Sequence, residues 1–186
     1  SKEQILDDLK GFMSPLQRRM LKELLQHLDE LNVHIENLND EIDNFMKPEE
    51  KQASQMIQDV TGIGNTSAQA IIAVIGTDME RFPSDRHISS WAGLCPGDNI
   101  SAKKRKGGKI RKGNALLKST LVLCAHAAVR HKSSYFHAQF KRISTHRGKK
   151  RAYVAVAHSI LIAIYHILKD GVKYQDLGAE YYNQFN

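Results

Sequence analysis

Leu21, Leu24, Leu28, Leu31, Ile35, Leu38, Ile42 and Phe45 recur at alternating steps of three and four, the spacing that keeps apolar side chains on one stripe of an α-helix. In heptad terms Leu21, Leu28, Ile35 and Ile42 take a and the others take d, over about three and a half repeats. Glu30, Glu36, Asp40, Glu41 and Asp43 solvate the remaining surface. The apolar stripe therefore calls for a partner, either a second copy of the chain or the rest of the same chain. Ile35 and Ile42 at a with Leu31 and Leu38 at d favour a two-stranded coil. Ser14 as N-cap and Pro15 at the first helical position mark its start, and Lys47-Pro48 interrupts it.

Beyond Pro48 the pattern predicts a short helix to about Val60, an apolar helix Ala68 to Ile75, and another from Asp85 to Ala92 that carries Trp91 as a core residue. Three more helices follow, over Asn114 to His131, Ser134 to about Thr145, and Lys149 to Lys169. Strand signals are sparse, so the expectation is an all-α or nearly all-α chain. Its organisation reads as a coiled-coil dimerisation segment over 1–50, a compact helical domain over 51–175, and a C-terminal tail over 176–186. Between the second and third helices lies Gly62-Ile63-Gly64. Glycines there expose backbone N–H groups at a helix N-terminus where no Cβ blocks an anion. Such a turn reads either as a helix-hairpin-helix element that grips phosphate through Gly62 and Gly64, or as a tight helix-helix connection.

Charge sharpens this picture because it is unevenly spread. Residues 1–60 hold 7 Lys/Arg against 13 Asp/Glu, a net −6, while residues 61–186 hold 20 against 7, a net +13. From Asn99 through Lys169 there are 17 Lys/Arg and no Asp or Glu. A phosphate backbone is the usual partner that relieves such self-repulsion. The polar loop 97–113 holds Lys103, Lys104, Arg105, Lys106, Lys109, Arg111 and Lys112. A second basic knot, Arg147 with Lys149 and Lys150, surrounds Gly148.

Several chemistries are disfavoured. Two-metal phosphodiester cleavage needs clustered carboxylates, and the basic portion has only Asp78, Glu80, Asp85 and Asp98 before its acid-free stretch, with Asp170, Asp176 and Glu180 after it. His126/His131 and His158/His166 lack zinc-helix spacing, so no metal site is expected. Cys95 and Cys124 form no CxxC pair, which fits a reduced, cytoplasmic setting. No apolar core of a signal peptide follows Ser1-Lys2-Glu3, and His158 and His166 break the most apolar stretch, so no membrane partner is expected. Among hydroxyls, Ser101 stands directly ahead of Lys103–Lys106, where a scissile phosphate would already be neutralised. From composition and spacing alone, an ordinary loop serine is the favoured reading.

Gly62-Ile63-Gly64, Trp91-Ala92-Gly93-Leu94-Cys95-Pro96, Ser101, Lys109-Ile110-Arg111-Lys112-Gly113-Asn114, Leu116-Leu117 and Gly148-Lys149-Lys150 follow one another in an order that resembles one insertion-sequence transposase family. The resemblance spans roughly residues 55 to 170. That family joins a Holliday-junction-resolvase-like domain bearing four acidic residues to a coiled coil and a C-terminal domain with a serine nucleophile, and it includes recombinases guided by a structured bridge RNA. The resemblance implies that Ser101 is the catalytic nucleophile. It also implies that Lys109, Arg111, Lys112 and Asn114 lie near nucleic acid, and that the partners are DNA, a structured guide RNA and a second or further copy through the coil. Lys103 stands where the family usually has glycine. The four-acid domain, with which Mg²⁺ is expected, is not among these residues, so no cofactor and no autonomous activity are expected of them. The competing reading from the residues alone is a non-catalytic helix-hairpin-helix nucleic-acid-binding module.

Overall fold

Helix α1, Pro15–Phe45, opens on a reciprocal cap. The Gln17 amide donates to Ser14 Oγ at 3.3 Å and the Ser14 amide donates to Gln17 Oε1 at 2.8 Å, so each residue satisfies a backbone donor of the other. None of its side chains is buried, and Leu24, Leu28, Leu31, Ile35, Leu38 and Ile42 are 45–65% exposed. The computed structural model describes residues 4, 13–95, 100–101, 104–105 and 112–185. It divides the chain into two units, Ser1–Phe45 and Met46–Asn186. The junction falls at the predicted interruption: Pro48 opens α2, Pro48–Gln58, and the Lys47 amide donates to Glu50 Oε2 at 2.9 Å.

In the second unit α2 is followed by α3, Asn65–Ile75, a 3-10 turn at Met79–Arg81, and α4, Asp85–Trp91. After the loop come α5, Ala115–Ala128, α6, Tyr135–Arg147, α7, Lys149–Asp170, and a closing 3-10 helix at Ala179–Phe185. Apart from one hairpin of two-residue strands, β1 (Ile100–Ser101) and β2 (Lys104–Arg105), the regular structure among the described residues is helical, as the pattern predicts.

Helix α7 is the hub. Ala152, Val156, Ala157, Ile160, Leu161, Ile164, Tyr165 and Ile167 are buried along it, and it packs on α2, α4, α5, α6 and the first 3-10 turn. Ile57, Val60, Ile71, Ile75, Ile88, Leu117 and Leu121 complete the core from the helices around it. Small residues at the crossings, Ala125, Ala128, Ala152 and Ala157, bring the helix axes close. By length and composition alone α7 is apolar enough to cross a membrane, but here its apolar face is the centre of the unit. Buried Tyr165 keeps its hydroxyl satisfied, donating to the Phe82 carbonyl at 3.0 Å and accepting from Lys169 Nζ at 3.0 Å.

Two features differ from expectation. Trp91 is not core: it is the last residue of α4, 41% exposed, and rests against Phe82 with ring centroids 5.5 Å apart. Residues read as a tail from 176 onward instead fold back on α6. The Asp176 carboxylate accepts from the amides of Tyr135 and Gly178, both at 2.8 Å, and from the hydroxyls of Tyr174 at 3.1 Å and Thr61 at 3.2 Å. The Ala179 amide adds a bond to the Ser133 carbonyl at 3.0 Å. One carboxylate thus ties the C-terminal strap to the N-terminus of α6, where a negative charge is favoured, and to the turn that precedes α3.

Candidate nucleic-acid interface

The basic loop leaves and re-enters the helical unit at a single clasp. Gly93, with φ +70°, turns the chain out of α4. Gly113 brings it back so closely that a Cβ there would lie 2.3 Å from the Gly93 nitrogen and 2.5 Å from the Ala92 carbonyl carbon. Beside it the Asn114 amide donates to the Trp91 carbonyl at 3.2 Å. The Asn114 side chain caps α5 by accepting from the Leu117 amide at 2.9 Å. The Lys-Gly-Asn sequence therefore has a local cause: glycine for backbone contact, asparagine for the cap. Asn114, singled out as a nucleic-acid contact, is first a structural residue.

Within the loop, Ser101 pairs with Lys104 and Ile100 with Arg105 in an antiparallel register. This backbone pairing sets a cationic residue across the ladder from the candidate nucleophile. Lys103, Lys106, Lys109 and Arg111 lie outside the described residues. Lys112 is exposed at the loop's return.

The two glycines of the Gly62–Gly64 turn do different things. Gly62 has φ +94°, and a Cβ there would lie 2.5 Å from the Cys124 carbonyl oxygen and 2.6 Å from the Ala128 nitrogen, so its bare backbone is pressed onto α5. Gly64 is exposed with open space around it, and it precedes α3 as N-cap, with no acidic residue in the first turn of that helix. The outward half of the turn thus offers helix-terminal amides to an anion.

Gly148, with φ +80°, is the single residue between the end of α6 and the start of α7. Arg147, Lys149, Lys150 and Arg151 are exposed. His146 and Arg147 suit the negative end of α6, but Lys149, Lys150 and Arg151 crowd the positive end of α7, whose first turn holds no acid. Cations there are each disfavoured by roughly 0.3–1 kcal/mol, and a bound anion would relieve that. One turn later Tyr153 stacks on His126 of α5, centroids 3.6 Å apart, and meets Phe140 of α6 at 4.5 Å.

Helix α5 connects these features. Gly62 meets its C-terminal half at Cys124 and Ala128, and Tyr153 meets it at His126, while the clasp caps its start. Asn114 and Cys124 are ten residues apart, or about 15 Å of helix. Among the described residues, Gly62 and Asn114 are thus held near opposite ends of that helix. Cys124 is buried, and that burial pushes its thiol pKa up, which makes it inert. Among the described residues no three His, Cys, Asp or Glu side chains come together as metal ligands would. Sequence reading missed Thr61 and Asp176, whose pairing joins residues 115 positions apart and leaves no local signal.

Residues 54–141, which hold the Gly62 turn, the clasp and the Ser101 loop, match the family described as Transposase IS116/IS110/IS902 family. The chain is similar to the transposase for insertion sequence element IS1111A of Coxiella burnetii, 32% identical over 108 residues, covering 56% of this chain and 29% of that protein. It is also similar to the insertion element IS110 43.6 kDa protein of Streptomyces coelicolor, 28% identical over 131 residues, 68% of this chain and 31% of that one. A third similarity is to the putative transposase y4pF/y4sB of Sinorhizobium fredii, 26% identical, covering 67% of this chain and 33% of the relative. The chain therefore spans about a third of the length of these curated relatives. The similarity to the IS116/IS110/IS902 transposase family thus lies in residues 54–141, a little under half of the chain.

Proposed function

We propose that this chain is the dimerising and DNA-engaging part of a transposase, and that Ser101 is the nucleophile for strand cleavage and rejoining. The observation that carries this reading is the clasp. It mounts a loop bearing Ser101 opposite Lys104 on a packed helical unit, inside the segment that matches the transposase family. Ser101 Oγ attacks a DNA phosphorus, the leaving 3′ or 5′ oxygen takes a proton, and a phosphoserine diester conserves the bond for rejoining. The basic residues Lys103 to Lys106 and Lys109 to Lys112 neutralise the phosphate, and the Gly64 amides with Lys149 and Lys150 hold neighbouring backbone. A four-acid resolvase-like domain with Mg²⁺ would assist the leaving oxygen. A structured guide RNA would choose the target, and α1 would pair two copies.

A denaturation-resistant protein–DNA adduct tests this, formed on labelled DNA with guide RNA and the four-acid domain supplied. The adduct is expected with Ser101 and absent with Ser101→Ala, while DNA binding persists in both. The exposed Gly64 end of the α2–α3 hairpin favours a second reading, a non-catalytic nucleic-acid-binding module. Unimpaired binding with no adduct from either protein would select it.

A further inference from the structure

A cleft of about 650 Å³ lies between α6 and the C-terminal 3-10 helix. Lys132, Lys141, Arg142 and His146 line one side, and Glu180 and Tyr182 line the other. Three permanent cations thus face one carboxylate. The wall is built rather than loose. The Tyr182 hydroxyl donates to Tyr135 Oη at 2.9 Å, the two rings stack with centroids 5.5 Å apart, and the Arg142 guanidinium sits 4.7 Å above the Tyr182 ring. Stacking fixes the guanidinium plane and leaves its N–H edge able to bind an oxyanion in two-pronged fashion. The cleft is continuous in sequence with the basic knot, because His146 is followed directly by Arg147, Gly148, Lys149 and Lys150.

We propose that this cleft is a second phosphodiester-binding site, taking the backbone of a nucleic-acid strand that continues from the Gly148 knot. The proposal rests on the reading of the unit as nucleic-acid-binding and adds a place and a path to it. A flexible small anion would need fewer cations, whereas a chain of phosphates uses a row of them: Lys132, Lys141 and Arg142 here, then Arg147, Lys149 and Lys150 beyond. Glu180 acts as the opposing charge that limits affinity.

Fluorescence anisotropy over a salt series tests this with the full chain, a short labelled DNA duplex and a labelled RNA hairpin. Lys132→Gln with Lys141→Gln removes two charges from exposed or half-buried positions, and it is expected to weaken binding about tenfold or more and to lower the log–log salt slope by about 1–2. Glu180→Gln is expected to tighten binding, an effect that damage to folding does not produce. Loss on the RNA probe alone assigns the cleft to RNA, and loss on DNA alone assigns it to DNA. If both variants bind both probes as the unaltered chain does, while Lys149→Gln with Lys150→Gln binds more weakly, the cleft is not a contact and the functional reading stands. If the unaltered chain binds neither probe, both fail together.

Discussion

Gly113 and Asn114 show how one residue can carry two meanings. Lys112-Gly113-Asn114 looks like a nucleic-acid motif by its charge, yet glycine and asparagine there serve the clasp. Gly113→Ala pushes a Cβ to 2.3 Å from the Gly93 nitrogen, where backbone rather than a movable side chain must yield. The expected loss is about 1–3 kcal/mol, read from the urea midpoint. Asn114→Ala removes the bond to the Leu117 amide and is expected to lose about 1 kcal/mol, with Asn114→Ser restoring most of it. A contact role alone would leave both midpoints unchanged. Gly62 and Gly113 could be picked out as turn residues from sequence. Their demand for bare backbone could not, because the atoms they meet belong to α5 and to the end of α4. Lys149 and Lys150, read from charge as nucleic-acid contacts, are exposed. Trp91 was misread as core because an aromatic at a helix end has the same periodicity whether the next turn continues or stops.

At the scale of elements, helices were the legible part. The heptad stripe and the Ser14-Pro15 start placed α1, and Gly148, with its positive φ, ended α6. The strap was illegible, because Asp176 finds its donors on α6 and before α3. For α1, six stripe residues 45–65% exposed leave an apolar face that self-pairing would cover. Leu28→Asp with Ile35→Asp is expected to convert dimers to monomers in sedimentation velocity, with the thermal midpoint of the Met46–Asn186 unit unchanged. An unchanged mass with a lowered midpoint would mean that the stripe serves the helical unit instead.

For the molecule as a whole, His158 and Asp176 are expected to shape the loss of stability in acid. Burial lowers the pKa of His158 in α7 against an opposing pull from Asp85. Its folded form holds a proton less well than the unfolded chain, so stability is intact above the ordinary value of 6.5 and falls as pH drops below it. Burial works to raise Asp176, but the amides of Tyr135 and Gly178 and the hydroxyls of Tyr174 and Thr61 outweigh it and hold the carboxyl below its ordinary value. That contribution is present above 3.8 and is lost as pH falls through the lower folded value. A thermal midpoint plotted against pH is expected to decline in two limbs. Asp176→Asn should remove the lower limb and cost on the order of 1–2 kcal/mol at neutral pH, less than a fully buried carboxylate would. A single limb in the unaltered chain would show that one of these groups is not coupled to folding.

Charge is segregated along the chain, net −6 over residues 1–60 and net +13 over residues 61–186. The clasped loop, the Gly64 turn, the Gly148 knot and the α6 cleft are four places in the Met46–Asn186 unit where, on the proposed function, a phosphate backbone would find donors or cations. The most direct measurement is the affinity of the chain for duplex DNA across a salt series, with Ser101→Ala in parallel. The expected result is a log–log slope steeper than about −4, as several simultaneous phosphate contacts require, and the same for both proteins. A flat slope, or a loss of binding on removing one hydroxyl, would contradict a backbone grip that is separable from the serine.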